Sequence, residues 1–361
     1  DMIELYDEAL GQLDEFIEVR LNDPHPERSS ALARGAETIL EERQKRWPDS
    51  TPPIAPNRLE FLIGMLEMNA GHSAEAQQRF ERSIAKDEDP GALLQLGLLL
   101  ERTGELDLAE SRYRRALELT PGTSLPDELR RSEILEHMGD VARARGDAAE
   151  MNARYRDALA AWSSARDQVE GPTGALVEMR RGVLLDQLGR HEEAVEAFEA
   201  AMTHAPQWRD VYATILSHLV STAPDYELAS SVWRRSQLQL TLPPEWKVYF
   251  TLWIQFIAAR AGEAPSAEHT ELLRRLGASP NWWGKLASFG AGDLNYDDMM
   301  SVASSLGEET EVLYYEATRL YVAGEREAAE RQFRRVLETN MVSFYEFEMA
   351  RKLLINQAKS P

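Results

Sequence analysis

Cysteine is absent from this chain of 361 residues. That absence excludes disulfides, thiolate zinc sites, thioether-attached haem and thiol catalysis together. It leaves both redox compartments open. Lysine is nearly absent too. Of the 40 basic residues only Lys45, Lys86, Lys247, Lys285, Lys352 and Lys359 are lysine. A GC-rich genome accounts for such a bias, and so does adaptation to salt, in which an acidic surface stays dispersed by self-repulsion. Acids number 61, the net charge is −21 and the pI is about 4.9. No basic face is expected, which argues against nucleic acid and against docking on anionic lipid. No run of about 18 apolar residues exists, so no transmembrane segment is expected. The chain opens at Asp1, not methionine. A preceding segment is therefore expected, and any signal peptide, lipobox or further domain would lie there.

The composition is that of a folded protein, 43% hydrophobic and 8% aromatic. Its clearest pattern is a repeat. Gly104 is followed by Ala109, Tyr113, Ala116 and Pro121; Gly189 is followed by Ala194, Phe198, Ala201 and Pro206. Both sets stand at +5, +9, +12 and +17 from the glycine, and Gly97 and Gly182 stand seven residues before it. Small residues at −7, +5 and +12 let paired helices cross closely. The +9 aromatic is expected to fill the wedge between repeats. The glycine reverses the chain.

This pattern resembles the tetratricopeptide repeat, a helix–turn–helix unit of ~34 residues. The same register places Gly64 and Gly71 before Ala76, Phe80 and Ser83, and Gly139 and Gly146 before Met151, Tyr155 and Ala158. Ala317 and Gly324 precede Ala329 and Phe333, and a degenerate copy runs through Ser217, Pro224, Ala229, Trp233 and Ser236. Gly71 to Gly104 is 33 residues, but Gly104 to Gly146 is 42 and Gly146 to Gly189 is 43. The surplus is expected to lengthen helices or loops near 121–130 and 160–173. The resemblance implies an all-α fold, a right-handed superhelix (solenoid) of helical hairpins with six or seven repeats.

Three segments follow. Residues 1–56 read as a divergent N-terminal helical pair, with Met2, Leu5, Leu10, Leu13, Phe16, Ile17 and Leu21 at helical spacing, then Leu32, Ala36, Ile39 and Leu40 beyond the loop 22–26. Residues 57–265 form the repeat array. Residues 266–361 hold irregular helices, the last repeat and a capping helix that opens at Phe344-Tyr345-Glu346-Phe347 and ends near Gln357. From about 280 to 355 the chain resembles periplasmic repeat lipoproteins that act as adaptors for a tail-specific protease and for cell-wall hydrolases. The shared residues are Trp282, Trp283, Leu286, Phe289, Gly292, Tyr315, Gly324, Ala329, Phe333 and Asn340. This implies envelope or periplasmic association, with the cytoplasm as the other option. Such lipoproteins are dimers. Phe344, Tyr345, Phe347, Met349, Leu353 and Leu354 would serve as a self-association stripe on a final helix with no repeat after it, or that helix folds back as an ordinary cap.

Enzyme chemistry finds no footing. His191-Glu192-Glu193 begins like a zinc-protease helix, but the second histidine position is Val195. The seven histidines contain no pair at i, i+3 or i+4. Asp293, Asp297 and Asp298 lack a twelve-residue calcium pattern and suit a helix start. Neither metal nor cofactor is expected.

Binding remains. In this repeat class the first helix of each pair lines the concave groove. The groove positions are then Phe61, Met65 and Met68, Leu94 and Leu98, Glu136 and Asp140, and Met179 and Val183. Members that clamp a C-terminal carboxylate carry a lysine and asparagines at Phe61, Met65, Leu94, Leu98, Glu136 and Asp140; here that clamp is missing. Methionine and leucine there suit an amphipathic helix or extended apolar segment, unless another helix of the same chain covers them. Six of eight tryptophans, Trp208, Trp233, Trp246, Trp253, Trp282 and Trp283, lie close in sequence. They serve either as packing or as a glycan-binding ladder. The expected function is a non-catalytic adaptor for a protein or peptide. The alternatives are a glycan or exopolysaccharide assembly scaffold, and a regulatory module of a larger protein.

Overall fold

The computed structural model describes residues 2–20 and 26–357, with side chains over 2–12 and 34–356. Leu21, loop residues 22–25 and Lys359 lie outside the described residues, as do the side chains of Leu13, Phe16, Ile17 and Leu32. The described elements are helices, with no strand among the described residues. They form two compact units, Asp1–Pro121 with Asn340–Phe344, and Gly122–Thr339 with Tyr345–Pro361.

The first unit holds α1 (Met2–Arg20), α2 (Pro26–Arg46), α3 (Pro56–Asn69), α4 (Ser73–Lys86), α5 (Pro90–Thr103) and α6 (Leu106–Glu118). Local chemistry sets the ends of α5. The Asp89 carboxylate accepts from Ala92 N at 3.0 Å, Pro90 opens the first turn, and Gly104 closes it at φ 89°. Pairing of α5 with α6 rests on Gly97. A Cβ there would lie 2.4 Å from the Tyr113 ring. Gly139 meets Tyr155 at 2.4 Å, Gly182 meets Phe198 at 2.5 Å and Gly64 meets Phe80 at 2.8 Å in the same way. The +9 aromatic, expected between repeats, thus closes on the −7 glycine of its own hairpin.

The N-terminal pair is fused to the first repeat. Leu10, Ala36, Leu40 and Ile54 share one core with Leu59, Leu62, Ile63 and Leu66 of α3. Arg43, 1% exposed, is held by Asp7, by Ser50 Oγ at 2.8 Å and by Thr51 O at 3.1 Å.

The second unit holds α7 (Leu125–Arg145), α8 (Ala148–Ala165), a short 3-10 turn (Arg166–Gln168), α9 (Gly171–Gln187), α10 (His191–His204), α11 (Arg209–Ser221), α12 (Tyr226–Gln237), α13 (Pro244–Ala261), α14 (Ala267–Gly277), α15 (Trp282–Gly290), α16 (Tyr296–Val302), α17 (Leu306–Val322), α18 (Arg326–Glu338) and α19 (Tyr345–Gln357). The surplus residues went into helices: α7, α8 and α9 run 21, 18 and 17 residues, against 13 or 14 in α3 to α6. Of the acids Asp293, Asp297 and Asp298, the last completes a capping box at the start of α16, and the first lies 3.8 Å from Arg274. Asn295 Oδ1 accepts from Asp298 N at 3.0 Å, and Asp298 Oδ2 accepts from Asn295 N at 3.2 Å.

The last helix does not leave its stripe open. It packs on α11, α17 and α18, and Phe347, Met349 and Leu353 are 1%, 1% and 3% exposed. Of the stripe on which self-association was expected, Phe347, Met349 and Leu353 are covered within the chain, and Phe344, Tyr345 and Leu354 stay half-buried.

Candidate functional site

The residues expected to line a groove fall in both units. In the first, Phe61, Met65 and Leu98 are half-buried, while Met68 and Leu94 are buried. Phe61 packs against the N-terminal core and lies 5.9 Å from the Phe80 ring. Two further polar groups of α5 matter here. Glu101 accepts from Tyr113 Oη at 3.0 Å. Arg102 Nη1 donates to the carbonyl of Val342. Met341 and Val342 are buried, at 2% and 0%. Part of the first unit's polar capacity is therefore used on the chain's own segment Asn340–Phe344.

In the second unit Glu136 and Met179 are buried, and Asp140 and Val183 half-buried. The two acids are not free anionic sites. Glu136 accepts from Arg180 Nη1 at 3.1 Å. Asp140 accepts from Tyr155 Oη at 2.5 Å and pairs with Arg143 at 3.1 Å. Burial pushes the Asp140 carboxyl up, but the charges of Arg143 and Lys352 outweigh it and hold the group below its usual range.

The first helices α11, α13 and α17 carry α19. Tyr345 stacks at 5.8 Å from Trp246 and 5.5 Å from Trp253. Asn356 Nδ2 donates to Ser221 O at 2.7 Å, and Tyr315 Oη donates to Glu346 Oε1 at 2.8 Å. Beneath lies a buried polar cluster. Trp253 Nε1 donates to Tyr315 Oη at 3.1 Å. Tyr249 Oη donates to Glu311 Oε1 at 2.8 Å, and Trp282 Nε1 donates to Glu311 Oε2. Neither Glu311 nor Glu346 has an ion pair among the described residues. Burial, then the neighbouring Glu346 charge, pushes Glu311 up to about 8; burial likewise raises Glu346.

The tryptophans form no exposed ladder. Trp233 and Trp253 are buried, and Trp208, Trp246, Trp282 and Trp283 half-buried. Trp233 Nε1 donates to Thr251 at 3.0 Å, and Arg209 stacks 4.5 Å over Trp246.

Sequence reasoning missed a histidine–aspartate chain. His218 Nε2 lies 2.7 Å from Asp186 Oδ2, His191 Nδ1 2.7 Å from Asp186 Oδ1, and His191 Nε2 3.0 Å from Asp225 Oδ2. Bonding to Asp186 raises His191 above its usual value. Burial lowers His218 despite the same partner. A signal existed: Asp186 and His191 flank the turn glycine at i, i+5, as do Glu67 and His72, whose contact is 2.7 Å. A cavity of about 270 Å³ between α8 and α9 also went unforeseen. Arg156, Arg181 and Arg190 line it, and Arg190 is already held by Glu193 at 2.6 Å.

A family model for the tetratricopeptide repeat matches residues 61–123 and 143–207. Over those residues the chain carries tetratricopeptide repeats, helical hairpins that support a protein-interaction scaffold. Among solved structures it is similar to pilF of Pseudomonas aeruginosa, at 14% identity and TM-score 0.40, over 68% of this chain and 97% of that one. It is similar to a Rap protein complexed with competence and sporulation factor, at 15% identity and TM-score 0.45, over 96% and 99%. A third is the Rap conjugation gene regulator of plasmid pLS20 in complex with the Phr* peptide, at 13% identity and TM-score 0.38, over 89% and 97%. No curated protein matches the chain. No helix among the described residues is long and apolar enough to cross a membrane.

Proposed function

We propose that the protein is a non-catalytic adaptor that holds a peptide or protein segment on the first helices of its repeats and presents it to another assembly. The observation that carries this reading is the character of α3 and α5. Met65 and Leu98 stay half-buried at groove positions although they are large and apolar. Flexible apolar side chains left partly open suit an amphipathic or extended segment. A role in bacterial envelope assembly is part of the proposal. Its support is the resemblance of residues 280–355 to envelope adaptors, in which Trp282, Tyr315 and Phe333 recur. The half-buried, hydrogen-bonded state of Trp282 gives the glycan alternative no support.

The test uses a photo-crosslinking residue at position 65 in cells producing the chain. The expected result is a covalent product with one protein partner, lost when Leu98→Glu is added while circular dichroism remains helical. Crosslinks confined to residues 340–344 of the same chain would overturn the reading.

A further inference from the structure

The second unit contains one feature that a rigid scaffold does not need. Its terminal helix rests on two buried carboxylates that face each other's charge without a cation. Glu346 is the only member of that polar cluster on α19; Glu311 and Tyr315 belong to α17, Tyr249 and Trp253 to α13, and Trp282 to α15. Three hydroxyl or indole donors reach the two carboxylates, and no ion pair does among the described residues.

We propose that α19 is a releasable plug on the first helices of the second unit, docked while at least one of the buried Glu311 and Glu346 carboxyls is protonated and released when both are ionised. The consequence for binding rests on the adaptor reading above: an undocked α19 uncovers the faces of α11, α13 and α17 for a partner segment.

An ionised carboxylate buried in a low-dielectric interior needs a cation or a full set of donors. Two buried carboxylates without a cation resolve the conflict when at least one of them takes a proton. Undocking α19 removes Glu346 from the cluster, separates the charges and rehydrates both. What holds the helix meanwhile is chiefly apolar: Phe347, Met349, Ala350 and Leu353 are buried, and Asn356 adds a bond to Ser221 O. Its own N-terminal turn favours the Glu346 anion, but burial outweighs it.

The surrounding charges do not cancel the pair. On α17, Glu308 adds to the negative field at Glu311, and the Tyr314 and Tyr315 hydroxyls are pushed up by burial. On α13, Glu245 acts on Tyr249, and Arg260 acts on Tyr314. Arg209 and Asp210 of α11 and Arg180 of α9 act on Tyr345. The α18 arginines Arg334 and Arg335 are exposed and engaged with Glu330 and with Tyr296. On α19 itself, Arg351 and Lys352 pair with Glu348.

The sign follows from linkage. A carboxyl raised in the docked state stabilises docking below its free value, near 4.5, and that contribution is lost as pH rises through about 8. One linked proton changes the docking constant by up to about tenfold per pH unit in that window.

Hydrogen exchange of the full chain, followed by mass spectrometry at pH 5.5 and 8.5 with intrinsic rates corrected, reads this directly. Peptides covering 345–357 are expected to lose at least about tenfold in protection at pH 8.5, while those from α9 stay constant. Glu346→Gln keeps an acceptor for Tyr315 and removes one of the two charges, so its α19 is expected to show a clearly smaller pH dependence than wild type. Glu311→Gln carries the same expectation should the first variant fail to fold. An α19 equally protected at both pH values in the wild type, an equal loss in α9, or a glutamine variant that keeps the full wild-type pH dependence would each overturn the plug. No binding partner enters this test, so its outcome is separate from that of the adaptor reading.

Discussion

One site in each unit handles buried charge differently, although Glu136 and Glu178 of the second unit are also matched by arginines. In the first, buried acids have specific partners: Glu60 is held by Arg79 at 3.0 Å and Lys86 at 2.9 Å, and Glu67 by Arg34 at 2.6 Å. Burial pushes the Glu60 carboxyl up, but those two cations leave it below its usual range, so it stays ionised throughout the neutral region. In the second unit, Glu311 and Glu346 are satisfied by tyrosine, indole and backbone donors without a cation, and lie above theirs. A paired acid is a fixed part of the scaffold; an acid held only by neutral donors makes its contact depend on pH. The glycine–aromatic seat recurs in both units, so the contrast comes from what lies around it.

The sharpest break of that shared hairpin geometry is at its glycine seat. Gly97→Val drives a branched side chain into the Tyr113 ring, which its hydroxyl bond to Glu101 holds in place. The expected cost is about 3 kcal/mol, at the upper end for overpacking. Gly139→Val should cost the second unit about as much, since Tyr155 sits at the same distance and is tied to Asp140. Urea unfolding followed with separate probes in each unit checks this. Equal stability of wild type and Gly97→Val would mean that the aromatic is free to move away.

A smaller loss is expected at the turn. Gly104 has φ 89° and open space around a hypothetical Cβ, so Gly104→Val is penalised by backbone strain alone, about 1–2 kcal/mol. The ordering matters more than either value: a turn variant worse than the seat variant would show that chain reversal, not helix approach, limits these hairpins.

The contrast between seat and cover also explains what the sequence could and could not disclose. Gly97 with Tyr113 and Gly104 with Ala109 are local offsets, set by contacts within one hairpin, and they repeat. The fold class followed from them. The fate of α19 did not. An apolar stripe of Phe347, Met349 and Leu353 looks the same whether another protomer or its own chain covers it. Glu311 and Glu346 are far apart in sequence and show no period. The groove positions were read from the register of first helices, but Glu136 and Asp140 turned out to be matched by Arg180 and Arg143, pairings that cross helices or follow local turns no repeat consensus records.

The smallest expected effect concerns the histidine chain, and it sharpens the comparison of pH responses. His191 is half-exposed and bridges Asp186 and Asp225. Its imidazolium is favoured in the folded state, chiefly by Asp186. A raised histidine contributes stability that is fully present below its unfolded value near 6.5 and is lost as pH rises through the folded value. Solvent screening limits this to a few tenths of a kcal/mol. His218, buried on the same aspartate, is lowered. Its contribution is present above its unfolded value and is lost as pH falls through the folded one. The two histidines therefore oppose each other, and Asp186 ties them into one titrating group. His191→Gln keeps a hydrogen-bonding side chain and removes the titration. Its melting temperature should fall slightly below wild type at pH 5.5 and match it at pH 8. Because the Glu311 and Glu346 pair changes stability in the same direction as His191, the double variant His191→Gln with Glu346→Gln is needed to separate them. A flat difference between single and double variants across pH would assign the whole response of the second unit to the histidine, and a difference that grows above pH 6 would assign it to the carboxylates under α19.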